Sequence, residues 1–122
     1  VVKDVPQLSL AQVAGQTREL TVLARRGQLP AERLQGGVLT ITNLGAHGVD
    51  AFTPLLNLPQ SAILGVGRIG WEAAVVDGKI IPQQQATLNL TFDHRVHDGT
   101  PAAEFLASLR EAIENPRLLL QH

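Results

Sequence analysis

Residues 72–82 read EAAVVDGKIIP, two apolar runs joined by Asp77-Gly78. An Asp-Gly pair between such runs is the strongest short-range hairpin signal, because the tight turn it favours needs left-handed backbone at both central positions. The segment is therefore expected to double back on itself. The sheet it joins is then at least partly antiparallel.

The flanking segments supply the rest of a mixed α/β chain. Ser9 followed by Gln12 has the form of a capping box, and Leu10, Val13, Ala14, Thr17, Leu20, Thr21 and Ala24 recur at helical spacing. Gly27, after Arg25-Arg26, suits the left-handed residue that closes a helix. A helix is predicted over 10–26, with one further turn from Pro30 through Leu34. Beyond Gly36-Gly37 the period changes: VLTITN (38–43) alternates and is β-branched, so it reads as a strand. A Gly- and Pro-rich loop (44–60) follows, long for a compact domain, and such length usually goes with function. SAILGVGRI (61–69) is a nearly continuous apolar strand, expected to be buried on both faces or at an interface, and ATLNLTFDH (86–94) alternates again. Thr100-Pro101 has the form of an N-cap and first helical residue. Ala102, Ala103, Leu106, Leu109, Ala112 and Ile113 then form a helical stripe that stops before Asn115-Pro116.

Composition narrows the function classes. The 122 residues suit one domain, and 44% apolar with 17% charged residues is globular rather than disordered composition. A formal charge of −1 and the lack of an RNA-binding aromatic pattern argue against a nucleic-acid partner. No apolar run approaches the ~20 residues that span a bilayer, so no membrane partner is expected and the chain reads as soluble and intracellular. With no cysteine, disulfides, thiolate nucleophiles and cysteine-ligated zinc are excluded together.

Two motifs carry possible chemistry. GVGRIG (65–70) matches the dinucleotide pattern G-x-G-x-x-G. That mechanism needs a helix immediately afterwards to meet the pyrophosphate, whereas this chain leads into a hairpin and has LNL near the expected acidic position. Glycines that ease strand twist or close backbone approach explain the match better. The second motif is DHRVHDG (93–99), which holds two of the chain's four histidines beside two aspartates. It could bind a metal through His94, His97, Asp93 and Asp98, with His47 or His122 adding ligands only by chance. It could be a polar turn. It could hold a general base, and this fits the local pattern best: His94 sits where an alternating strand leaves the sheet, and an ordinary imidazole titrates at about 6.5, close to what neutral-pH base catalysis needs. Gly99 is then expected to take positive φ before the helix. Thr40 and Thr42, two apart on the strand TIT, share one sheet face and offer hydroxyls to a developing oxyanion.

H-x-x-x-D-G, here His94 to Gly99 preceded by Asp93, resembles the active-site signature of the dihydrolipoyl acyltransferase component of 2-oxo acid dehydrogenase complexes, shared with chloramphenicol acetyltransferases. LQGGVLTITNLGAHGVDAFTPLLNLPQSAILGVG and LTFDHRVHDGTPAAEFLASLREAIENPRLLL resemble the family in register. The similarity runs along essentially all 122 residues but spans only the C-terminal part of the family's catalytic domain. It implies the chloramphenicol acetyltransferase-like fold, a two-layer α/β sandwich with a mixed β-sheet covered by helices, present here as a partial domain.

The resemblance also implies a mechanism. His94 is the base that deprotonates the thiol of coenzyme A or dihydrolipoamide, oriented through its own backbone. Thr42 matches the oxyanion hydroxyl, often serine in the family. Asp98 is structural, holding the loop by an ion pair, and His97, where the family usually has an apolar residue, is incidental. The implied cofactors are lipoate on a separate lipoyl domain and coenzyme A as substrate, with no metal. The implied partners are the lipoyl domain, further copies in a homotrimer that builds a larger core and shares each active site between neighbouring subunits, one giving His94 and the next Thr42, and the dehydrogenase and decarboxylase components. Location would be cytoplasmic in a bacterium or the mitochondrial matrix in a eukaryote. A stand-alone chloramphenicol-type acyltransferase and a non-catalytic core subunit are the alternatives. The NLG…FTP stretch looks less like succinyltransferases.

Overall fold

The computed structural model describes residues 1–120, so His122 lies outside the described residues. The chain divides into two compact units, Val1–Val38 and a second that begins at Leu39.

The first unit is built on helix α1 (Leu10–Arg25). Its start is the predicted capping box: Gln12 N–H donates to Ser9 Oγ (3.3 Å), and Ser9 N–H to Gln12 Oε1 (2.7 Å). Its end is a Schellman closure around Gly27 at φ 66°, with Gln28 N–H donating to Leu23 O (2.9 Å) and Gly27 N–H to Ala24 O (3.1 Å). A 3-10 turn (Ala31–Leu34) follows Pro30, as expected.

The second unit contains a three-stranded mixed sheet, ordered β1 (Leu39–Asn43), β2 (Ala62–Val66), β5 (Leu88–Phe92). β1 and β2 are parallel, β2 and β5 antiparallel. β2 is central, and Ile63, Leu64 and Gly65 are buried, which explains its unbroken apolar run. Helix α2 (Gly99–Glu114) packs against β5. Ala102 is buried and Leu106, Leu109 and Ala112 are half-buried, while Ala103 and Ile113 of the expected stripe are exposed.

The hairpin forms as predicted but joins no larger sheet among the described residues. β3 (Gly70–Val76) and β4 (Lys79–Gln85) make a separate two-stranded ribbon, with Asp77 at φ 51° and Gly78 at φ 76° in the turn. The antiparallel pairing of the main sheet comes from β5 instead, because which strands become neighbours depends on contacts remote in sequence. The expected strand 61–69 also ends early, at Val66. At Gly67 the chain leaves the sheet and the carbonyl of Asp50 comes so close that an added Cβ would lie 1.9 Å from it. A Cβ on Gly65 would lie 3.0 Å from the Phe52 ring. Both glycines of GVG are thus needed for close approach, and a strand, not a helix, follows Gly70.

Candidate functional site

The three-stranded sheet carries the candidate residues at opposite ends. Thr42 lies on β1, paired across the sheet with Gly65 and, beyond it, Asn89. Leu39, at the other end of β1, pairs with Ala62 and then Phe92. At about 3.3 Å per residue and about 4.8 Å between strands, the Cα atoms of Thr42 and Phe92 are roughly 14 Å apart. His94 lies further out still, past the end of β5. The sequence predicted both residues, and one chain does not bring them together.

The Thr42 end is fixed by backbone. Leu44 N–H donates to Val66 O (3.2 Å) and Arg68 N–H to Val49 O (2.7 Å), while Arg68 and Asp50 form an ion pair at 2.7 Å. Of the two hydroxyls offered by β1, that of Thr40 donates to Gln60 Oε1 at 2.5 Å. Thr42 is half-buried, and its hydroxyl has no hydrogen-bond partner among the described residues. Asn43 Oδ1 accepts from Gly45 N–H (2.8 Å), so this neighbour is already engaged.

The His94 end is a polar turn. Val96 and His97 N–H groups both donate to Asp93 O at 3.0 Å, and Asp93 N–H donates to Ser61 O at 2.8 Å. Arg95 folds back on Asp93, with Nη2 donating to Oδ2 at 2.7 Å and Nε to Oδ1 at 3.0 Å. The Arg95 side-chain hydrogen bonds, then its backbone N–H, hold the Asp93 carboxyl down at about 2. The His94 ring is exposed and rests beside Phe92, ring centroids 4.9 Å apart and tilted 46°. Its orientation comes from that ring contact, with no hydrogen bond to its own backbone among the described residues.

Two expectations around the motif are corrected, the ion pair at Asp98 and the helix start, expected at an N-cap Thr100 after a positive-φ Gly99. The ion pair expected at Asp98 is formed by Asp93 and Arg95, because the Arg95 side chain turns back rather than forward. Asp98 is instead the N-cap residue of α2 (φ −83°, ψ 164°), exposed and without an ion-pair partner among the described residues. The helix therefore begins at Gly99, two residues before Pro101, which is tolerated because first-turn N–H groups have no intrahelical acceptor. Gly99 accordingly has no positive φ. His97, expected to lie outside the chemistry, has Nε2 within 3.3 Å of Ser61 Oγ, a contact not expected from the sequence. No local signal announces that contact, because Ser61 stands 36 positions away. Among the described residues, no three His, Asp or Glu side chains gather in a group that could hold a metal ion.

The family described as 2-oxoacid dehydrogenases acyltransferase (catalytic domain) matches residues 1–121. The dihydrolipoyllysine-residue succinyltransferase component of the 2-oxoglutarate dehydrogenase complex of Bartonella vinsonii subsp. berkhoffii is 44% identical over 98% of this chain and 29% of its own length. The acetyltransferase component of the pyruvate dehydrogenase complex of Staphylococcus aureus is 40% identical over 98% of this chain and 28% of its own. These two identities do not bear out the expected distance from succinyltransferases. Among solved structures, the chain superposes on Azotobacter vinelandii dihydrolipoamide acetyltransferase with a TM-score of 0.90 and 41% identity, over 98% of this chain and 49% of that one. That enzyme was studied for the role of a serine, a histidine and an asparagine in its catalytic mechanism. The cubic core of a pyruvate dehydrogenase multienzyme complex gives a TM-score of 0.89 at 40% identity, over 96% and 48%. The chain thus spans about half of these solved chains and under a third of the curated relatives.

Proposed function

Because the chain belongs to the 2-oxo acid dehydrogenase acyltransferase family, in its catalytic domain, we propose that it is the C-terminal portion of a domain moving an acyl group between dihydrolipoamide and coenzyme A. The dihydrolipoyl thiol is carried on a separate lipoyl domain, and coenzyme A enters as a substrate. The whole enzyme works within a 2-oxo acid dehydrogenase complex, beside the decarboxylase and dehydrogenase components.

One observation carries the assignment of roles. The serine, histidine and asparagine studied in the Azotobacter enzyme stand at the same separations from one another as Thr42, His94 and Asp98 do here. Threonine in place of serine keeps the hydroxyl donor, and aspartate in place of asparagine keeps a polar group at the helix N-cap. His94 takes the proton from the incoming thiol. The thiolate adds to the thioester carbonyl, and the Thr42 hydroxyl donates to the oxyanion that forms. The tetrahedral intermediate collapses with loss of the other thiolate, which takes up the proton that His94 removed from the incoming thiol. No acyl-enzyme is required, consistent with the absence of cysteine.

The register gives this scheme a condition. Reacting groups must lie within about 3–3.5 Å of the atoms they act on, and within one chain the two residues are at opposite ends of the sheet. That separation supports the shared site that the family resemblance implies, in which His94 of one subunit works with Thr42 of the next in a homotrimer that builds a larger core.

Thioester exchange tests the reading. The protein carrying this chain is incubated with dihydrolipoamide and, separately, acetyl-, succinyl- and branched-chain acyl-CoA. Acyl transfer to dihydrolipoamide from one of them is expected. Transfer only to an alcohol acceptor such as chloramphenicol would point to a stand-alone acyltransferase, and no turnover with either to a structural core subunit.

A further inference from the structure

Resting on that reading of His94 as the base, we infer that Ser61 and His97 form a clamp that fixes the catalytic turn against the start of β2, making both of them positioning residues for His94. The turn is tied to Ser61 twice. Its carbonyl accepts the N–H of Asp93 at 2.8 Å, and its hydroxyl lies 3.3 Å from His97 Nε2, the donor being set by the imidazole tautomer. Asp93 and His97 are the two ends of the turn, joined to each other by the 3.0 Å bond from His97 N–H to Asp93 O. His94 lies between them. Both ends of the turn are thus pinned to one residue of the central strand's entry, and the base is held in the span.

The other contacts leave this job undone. The Asp93–Arg95 pair is internal to the turn, closing its front half without attaching it to the sheet. The ring of His94 touches Phe92, which limits one direction of motion only. Asp98 makes no side-chain bond across the N-terminus of α2 and supplies no anchor there. Without the hydroxyl–imidazole contact, the end of the turn nearer α2 has no side-chain tie to the sheet among the described residues.

A single exposed hydrogen bond has a small net worth, equivalent to roughly a twofold to tenfold change in an equilibrium. The effect should therefore appear in turnover and scarcely in folding. The experiment uses the protein that carries this chain, with the acyl-CoA it turns over and dihydrolipoamide as substrates. Ser61→Ala and His97→Val are each expected to lower kcat by about threefold to tenfold, with KM for both substrates and Tm unchanged. The double variant should fall no further than either single one, because the two side chains act as one pair. His97→Gln places an amide where Nε2 was and should stay within about twofold of the parent. Wild-type kcat in both single variants would overturn the clamp. So would losses that multiply in the double variant, a His97→Gln as impaired as His97→Val, or a fall that tracks a lowered Tm. The parent and His94→Ala serve as references: an inactive parent, or a fully active His94→Ala, defeats the reading of His94 itself, whereas the clamp fails only where those two behave as expected.

Discussion

The two ends of the three-stranded sheet are built by different means. At the Thr42 end, main chain meets main chain: the loop after β1 packs so tightly against the exit from β2 that Gly45 and Gly67 have no room for a side chain. At the His94 end, an exposed turn is held mostly by side chains, Arg95 on Asp93 and His97 on Ser61. Under the proposed roles, a hydroxyl donor that must stay put sits on packed backbone. The proposed base, which must gain and lose a proton, sits on a polar turn open to the surface. Rigidity and access are divided between two ends that one chain does not join.

Substitutions at each end test that division. The largest effect belongs to the base: His94→Ala should lower kcat by ~10²–10⁴-fold, with coenzyme A affinity little changed, as read by steady-state kinetics and ligand titration. A loss below threefold would remove His94 from the chemistry. Next is Thr42→Val, nearly isosteric, which should cost ~10²–10³-fold in kcat, while Thr42→Ser keeps activity. If Thr42→Val turns over normally, the oxyanion donor lies elsewhere.

Mixing those two variants sharpens the comparison. Equal amounts of His94→Ala and Thr42→Val chains, unfolded and reassembled together, give intact sites only where the histidine of one meets the hydroxyl of the other. For a directional threefold ring with random mixing, roughly a quarter of parental activity should return. A flat baseline despite mass-spectrometric proof of mixed trimers would place both residues in a single-chain site.

Gly67→Ala attacks the packed end from outside the chemistry. Its Cβ would collide with the Asp50 carbonyl, which is backbone and cannot swing away. A loss of stability of about 1–3 kcal/mol is expected, read as a lowered denaturation midpoint. The smallest effect concerns the turn. Arg95 lowers the Asp93 carboxyl to about 2 from an ordinary 3.8, so the folded chain favours the charged form. That contribution is fully present above the ordinary value and is lost as pH falls through about 2. Arg95→Gln should bring the Asp93 titration, followed by carboxyl NMR, back toward 3.8, with the carboxyl still ionised at neutral pH. An unshifted titration would mean that the pair does not form.

Local chemistry made much of this legible. Asp77-Gly78, the Ser9/Gln12 box and Gly27 each act over a few residues, and each appears where the sequence put it. The glycines of GVG were also readable as points of close approach, although not what approached them. What depends on distant partners could not be read. Nothing in EAAVVDGKIIP says that this hairpin stands apart from the main sheet, with Trp71 69% and Ile80 77% exposed in the single chain. His94, Thr42 and Asp98 could be named as candidates by type, motif and family resemblance. Their separation within one chain was implied by the resemblance but not by any local signal, because it follows from β5 running antiparallel to β2, a pairing set by residues far apart along the chain.

That direction of β5 also has a genetic consequence under the shared site. A lesion at Thr42 and a lesion at His94 fall in one gene, yet each allele still makes the half that the other lacks. Two such defective copies in one cell should complement and behave as partly recessive. A single copy bearing both lesions should behave differently, spoiling two of the three sites in every ring it enters once. Dominance in this family would then be decided by how defects are distributed among alleles, rather than by how severe each defect is alone.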